Sequence, residues 1–143
     1  MTRPLPKDVS IGRLLRSAFD QYHRLVINLV HDAGFTDLTP AQADVISRMD
    51  EAPIRAIDLA TSAGVSKQAM SLLAAELVKK SYLENCPDPK DGRARLLVLS
   101  KKGQRLKQAG MAAKEEAEKQ LLSRLDDHEK QNLVDYLQRT TSH

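Results

Sequence analysis

The stretch YLENCPDPKDGRARLLVLS, residues 82–100, reads as two strands around a turn, in a chain whose other periodic segments read as helices. The strands are YLENCP and RARLLVLS, and DPKDG joins them. Pro87, Pro89 and Gly92 are turn formers, the prolines through a fixed φ and the glycine through its conformational freedom. Leu97 and Leu99 share one strand face, while Leu96 and Val98 point the other way. Arg93 and Arg95 sit where the turn becomes the strand. A lone basic-tipped hairpin has to be explained by the helices around it.

Those helices are well marked. Ile11, Leu15, Ala18, Tyr22, Leu25 and Leu29 recur at spacings of three and four, which predicts an amphipathic helix from about Val9 to Ala33 that Gly34 ends. In LTPAQADVISRM, Thr39 is placed as N-cap, Pro40 at N1 and Gln42 as the reciprocal capping partner. IRAIDLATSAG gives a short helix from about Ala56 to Ala63, stopped by Gly64. Ser66 then caps a helix from about Lys67 to Lys80 with Met70, Leu73 and Leu77 on one face. Two helices joined by a short glycine-containing turn form a helix-turn-helix pattern. After the hairpin, Ser100 opens a long helix to about Arg124, carrying Leu106, Ala109, Ala113, Ala117 and Leu121 on one stripe. Asp126 and Glu129 mark the start of the last helix, with Leu133, Val134 and Leu137 facing inward. No repeat, low-complexity segment or linker interrupts this order.

A helix-turn-helix followed directly by a basic hairpin is a winged helix. The fold class expected is mainly α with a small β-hairpin wing, a winged core at 39–100 flanked by helices at 9–33 and 101–141, in one domain of 143 residues. The apolar stripes on the flanking helices exceed what one small domain buries alone, so these are expected to be dimerisation helices. Charge supports the winged reading. The net charge is +3, but residues 66–107 carry ten basic and four acidic side chains. Such a patch suits a polyanion, nucleic acid above all, although a solvated basic surface would look alike. The second helix of the pair is expected to enter a major groove, and the arginine-tipped wing to reach the neighbouring minor groove.

The chain resembles MarR-family transcriptional regulators at this point, over LTPAQADVI, DLATSAGVSKQAMSLLAAELVKKSYLE and PDPKDGRARLLVLSKKG. Its wing is similar to the family's wing signature at Asp91, Arg93, Leu99, Ser100 and Gly103. The resemblance implies a homodimer whose terminal helices interlock and whose two winged helices read a palindromic operator in double-stranded DNA. It also implies a repressor that a small-molecule effector or an oxidant releases. Two residues depart from the family pattern: Leu72 stands where members often carry an Arg on the recognition helix, and Ser81 where they usually have Gly.

Ser66, Lys67, Gln68, Ser71 and Leu72 on the recognition helix, with Arg93 and Arg95 on the wing, form the expected DNA-contacting set. Gln68 has the donor–acceptor pair for a bidentate contact with adenine, and Lys67 suits phosphate. Leu72 either meets a thymine methyl or packs locally. Ser66 is equally a plain cap, and the helix face equally a solvated one. Arg93 is the expected groove contact, with Asp91 orienting it through a charged hydrogen bond, and Arg95 supports either that contact or the strand. The competing reading of the two wing residues is a surface ion pair of little energetic weight.

Other chemistries find little support. Cys86 is the single cysteine, so no internal disulfide forms and a reducing cytoplasm is the expected setting. A half-buried strand residue is favoured over a redox role for it, since no resolving cysteine exists. His23, His31, His128 and His143 are scattered and match no metal-ligand spacing, and no cofactor is expected. No phosphate loop, nucleophile elbow or other catalytic constellation appears, so an enzyme is not expected. The N-terminal MTRPLPKDVS lacks the apolar run of a secretory signal, and no segment reaches membrane-spanning length. An effector pocket is placed where the first two helices and the long C-terminal helix meet the winged helix, with Tyr22 and Arg48 as candidate polar groups. Core packing or plain exposure explains both residues equally well. The competing function is a winged helix that binds protein and has lost DNA, for which Leu72 is the best support.

Overall fold

The computed structural model describes Pro6 and residues 8–142; most of the N-terminal MTRPLPKDVS, and His143, lie outside them. The elements run α1 (Ile11–Asp32), α2 (Pro40–Arg48), β1 (Ile54–Arg55), α3 (Ala56–Ala63), α4 (Lys67–Lys79), β2 (Leu83–Asp88), β3 (Asp91–Leu99), α5 (Lys101–Leu121) and α6 (Asp127–Thr141). The mainly α winged helix is as expected. The chain divides into two compact units, residues 30–112 and the residues up to 29 with those from 113 onward; both divisions fall within helices, α1 and α5.

The unit at 30–112 is the winged helix. Thr39 caps α2 reciprocally: its hydroxyl accepts the Gln42 N–H and the Gln42 side chain accepts the Thr39 N–H, both at 3.2 Å. Gly64 takes φ +67 after α3, and the Val65 N–H returns to the Ala60 carbonyl at 3.1 Å. This left-handed residue turns the chain so that Ser66 can cap α4, accepting the Ala69 N–H at 3.1 Å. Val45 and Ile46 of α2, Met49 just after it, Leu59 of α3, and Met70 and Leu77 of α4 are buried against Tyr82, Leu83, Leu97, Leu99 and Leu106. Each large side chain contributes roughly 1.5–3 kcal/mol of apolar burial, which fixes the orientation of α4. Leu73 is only partly buried, and Ala74 takes the core position beside it.

The hairpin differs from the expectation in two ways. A third strand is present: β1 pairs antiparallel with β3, Ile54 opposite Leu97 and Arg55 opposite Leu96, giving the order β1-β3-β2. Two residues are too few for an alternation pattern to register. The connecting loop is also shorter, because β2 extends to Asp88 and β3 starts at Asp91, with an irregularity between Pro87 and Asp88.

Ser81, just before β2, has φ +67, the one non-glycine residue with positive φ among those described. A side chain there costs about 1–2 kcal/mol. Ser81→Gly relieves it, against a gain of chain entropy in the unfolded state of about 0.4–1 kcal/mol. The variant is expected to melt about 2 °C higher than the wild type in a calorimetric scan.

The other unit contains most of α1, the second half of α5, and α6. The Asp126 carboxylate accepts the Glu129 N–H at 2.8 Å and the Glu129 carboxylate accepts the Asp126 N–H at 2.9 Å, the reciprocal cap expected. Ala113 and Ala117 of α5 are buried, but α1 and α6 bury no residue fully. Ile11, Leu14, Leu15 and Phe19 on α1, and Val134, Tyr136 and Leu137 on α6, remain exposed. Among the described residues, no helix is long and apolar enough to cross a membrane.

Candidate nucleic-acid interface

α4 turns one face outward. Lys67, Gln68, Ser71 and Leu72 are all exposed, opposite the buried Met70, Ala74 and Leu77. These four line a surface groove of about 540 Å³. Two of the expected contact residues are already engaged by the helix. The Ser66 oxygen accepts the Ala69 N–H, and the Ser71 hydroxyl donates to the Lys67 carbonyl at 2.9 Å. Leu72 is 71% exposed and therefore does not pack locally.

A polar lattice behind α4 holds that face in place. The Gln42 amide donates to Glu76 at 2.5 Å and accepts from the Lys80 ammonium at 2.9 Å. Lys80 also donates to the Asp37 carbonyl. The Tyr82 hydroxyl donates to the Asp37 carboxylate at 2.6 Å. That bond, more than any nearby cation, holds the Asp37 carboxyl below its usual range, while burial pushes the Tyr82 phenol up. The Lys102 ammonium lies 4.1 Å from the centre of the Tyr82 ring. The C-terminal end of α4 is thus tied to the segment at the start of α2 by directional bonds.

The wing tip is built by two aspartates with separate jobs. Asp88 is 5% exposed, and its carboxylate accepts the Lys90 N–H at 2.9 Å and the Arg55 guanidinium at 2.6 and 3.1 Å. The Lys90 N–H first, and Arg55 second, hold the Asp88 carboxyl below the usual carboxylate range. This pair ties the tip of the hairpin to β1 at the start of α3. Asp91 does not orient Arg93 through its guanidinium: its carboxylate accepts the Arg93 backbone N–H at 3.1 Å. An aspartate two residues ahead of an N–H closes a local turn on the backbone more readily than it follows a long side chain. Arg93 and Arg95 are exposed, and among the described residues neither guanidinium enters an ion pair.

Arg55 and Asp88 were not foreseen as a pair. They lie 33 residues apart, and no local pattern connects them. Ser100 and Gly103 act as a joint. The Ser100 hydroxyl lies 2.6 Å from the Ser81 carbonyl and 3.0 Å from that of Tyr82, and it accepts the Gly103 N–H at 3.0 Å. That packs the first turn of α5 against the start of the wing.

The residues named for an effector pocket have other neighbours. Arg48 is paired with Asp44 at 2.7 Å and donates to the Ser62 carbonyl at 2.9 Å, tying α2 to the end of α3. Tyr22 is half-buried in the unit of the terminal segments, where burial, then the Glu118 charge, raises its phenol pKa. Cys86 is half-buried on β2 opposite Leu96. No group of three or more metal-ligating side chains is found among the described residues.

The MarR family profile matches residues 36–94, which contain α2 through the first residues of β3. No curated protein sequence matches the chain. Among solved structures, a probable transcriptional regulator of Pseudomonas aeruginosa is 29% identical, over 94% of this chain and 99% of its own, with a TM-score of 0.69. A cysteine variant of E. coli MarR in complex with operator DNA is 22% identical over 98% and 99%, with a TM-score of 0.70. Bordetella bronchiseptica BpsR, whose DNA binding is regulated by 6-hydroxynicotinic acid, is 21% identical over 99% and 99%, with a TM-score of 0.68. The last two likenesses carry the fold alone. With its helix-turn-helix and wing, the chain matches the MarR family over residues 36–94, and it shares the winged-helix fold of a 29% identical probable transcriptional regulator over nearly its whole length.

Proposed function

We propose that the protein is a homodimeric, sequence-specific DNA-binding regulator that acts as a repressor and is released by a small-molecule effector. The observation that carries this reading is the pairing of an outward α4 face with an arginine tip that enters no ion pair among the described residues. Ser66, Lys67, Gln68, Ser71 and Leu72 would face the major groove. Arg93 would enter the neighbouring minor groove, with Arg95 behind it and Asp91 setting the turn. Fixed protein cations in place of mobile counterions give the binding its strength, and base edges give it selectivity.

Dimerisation is supported by α1 and α6, whose Ile11, Leu14, Leu15, Phe19 and Leu137 side chains are left between 39% and 62% exposed. The operator-bound E. coli relative and the ligand-regulated Bordetella relative support the partners, duplex DNA and a small molecule. Tyr22, in the unit of the terminal segments, and Arg48, in the winged unit, are separate polar candidates for contact with the effector. No catalytic activity or cofactor is part of this reading, and a cytoplasmic setting suits its DNA partner. The interaction-module alternative keeps one favourable observation, the 71% exposed Leu72.

Footprinting on a duplex selected by the purified protein tests the proposal. A two-fold symmetric dimer is expected to protect an inverted repeat with half-site centres about 10 base pairs apart. Protection of one asymmetric half-site, or none, contradicts it.

A further inference from the structure

Leu72 is a large apolar side chain, 71% exposed, in the middle of the α4 face that is otherwise polar or basic at Lys67, Gln68 and Ser71. Nothing among the described residues covers it. It stands four residues after Gln68, so the two side chains are neighbours on one helix face, about 6 Å apart along the axis. With Lys67 and Ser71 they line one groove. Ser71 does not compete for a base edge as a donor there, because its hydroxyl is turned back to the Lys67 carbonyl at 2.9 Å. The groove therefore offers an apolar wall at Leu72, an amide at Gln68 and a cation at Lys67.

That combination matches one occupant chemically. In the major groove, adenine presents a donor and an acceptor to an amide, and thymine presents the only methyl group. Phosphate lies at the groove edge, where a lysine reaches it. We propose that Leu72 is a specificity-determining residue that recognises the 5-methyl group of a thymine lying within about two base steps of the adenine read by Gln68. This rests on the DNA-binding reading above and names the base chemistry that its recognition helix selects. The apolar side chain adds no charge, so its contribution appears in sequence preference and leaves the salt dependence alone.

Uracil differs from thymine only by that methyl group, which makes the test specific. Duplexes carrying a selected site are prepared with each thymine replaced singly by uracil, symmetrically in both half-sites. Wild-type protein and Leu72→Ala are titrated against each. For wild type, one position is expected to lose about fourfold in affinity per half-site, the loss of one buried methyl group. Leu72→Ala should bind the thymine and uracil duplexes at that position equally, with the wild-type salt slope. Leu72→Met, which keeps an apolar reach, should restore part of the discrimination. Equal sensitivity of wild type and Leu72→Ala at every position, or no sensitivity in wild type, overturns the thymine contact while leaving the DNA-binding function standing. Absence of any salt-dependent duplex binding by the wild type overturns both.

Discussion

Gly103→Ala is expected to destabilise the winged helix by about 3 kcal/mol, lowering the melting temperature by about 10 °C. A methyl group at this position would fall inside the contact radius of the Tyr82 carbonyl oxygen, with the Tyr82 carbonyl carbon and a Leu99 methyl both at 3.2 Å. The nearest obstacle is backbone, and the Leu99 methyl belongs to a buried side chain. The Tyr82 carbonyl is fixed by the Ser100 N–H at 3.1 Å, and Tyr82 itself is buried. The helix must therefore withdraw from the wing or the wing from the helix. Gly110→Ala, further along α5, provides the contrast: a methyl group there meets nothing within 4 Å. It should stabilise the helix by about 0.5–1 kcal/mol through propensity alone. Chemical denaturation of both variants beside the wild type checks the pair of opposite signs. Equal effects of the two substitutions would mean that the α5–wing joint is not the constraint described.

The same joint illustrates how much of the molecule could be read from its sequence. Ser100 and Gly103 were legible as a signature, but the reason for Gly103 was not, because it depends on a carbonyl more than twenty residues earlier. Local chemistry was read well. The Thr39–Gln42 and Asp126–Glu129 caps, the Gly64 turn and the alternation of Leu97 and Leu99 all depend on residues within five positions of each other. Bonds across the fold were not read. The β1 strand exists only through pairing with β3, and the Arg55–Asp88 pair and the Gln42–Glu76–Lys80 lattice join residues some 33–38 positions apart. Asp91 sits at the expected turn, but it accepts from a backbone N–H and not from a guanidinium, a distinction that residue spacing does not carry. For Leu72, the sequence left local packing and a thymine contact open, and its exposure rules out local packing.

Arg93 carries the central claim, because a wing that does not touch DNA leaves the hairpin unexplained. Its guanidinium is exposed, and the residue is held by Asp91 through its backbone N–H, so the side chain can be removed without disturbing the turn. A charged hydrogen-bonding contact is worth about 1.5–3 kcal/mol, so Arg93→Ala should lose roughly tenfold to a hundredfold in affinity. The loss should fall on specific and non-specific duplexes alike, because the minor groove offers the arginine potential and little base information. Gln68→Ala should behave differently, losing about 1–3 kcal/mol on the selected site with its salt dependence unchanged. The deciding measurement is the dissociation constant of wild type, Arg93→Ala and Gln68→Ala on one duplex between about 50 and 200 mM salt. The account predicts a linear log–log plot for wild type, a slope shallower by about one unit per engaged wing for Arg93→Ala, and an unaltered slope for Gln68→Ala. An Arg93→Ala line that superimposes on the wild type at every salt concentration would contradict it.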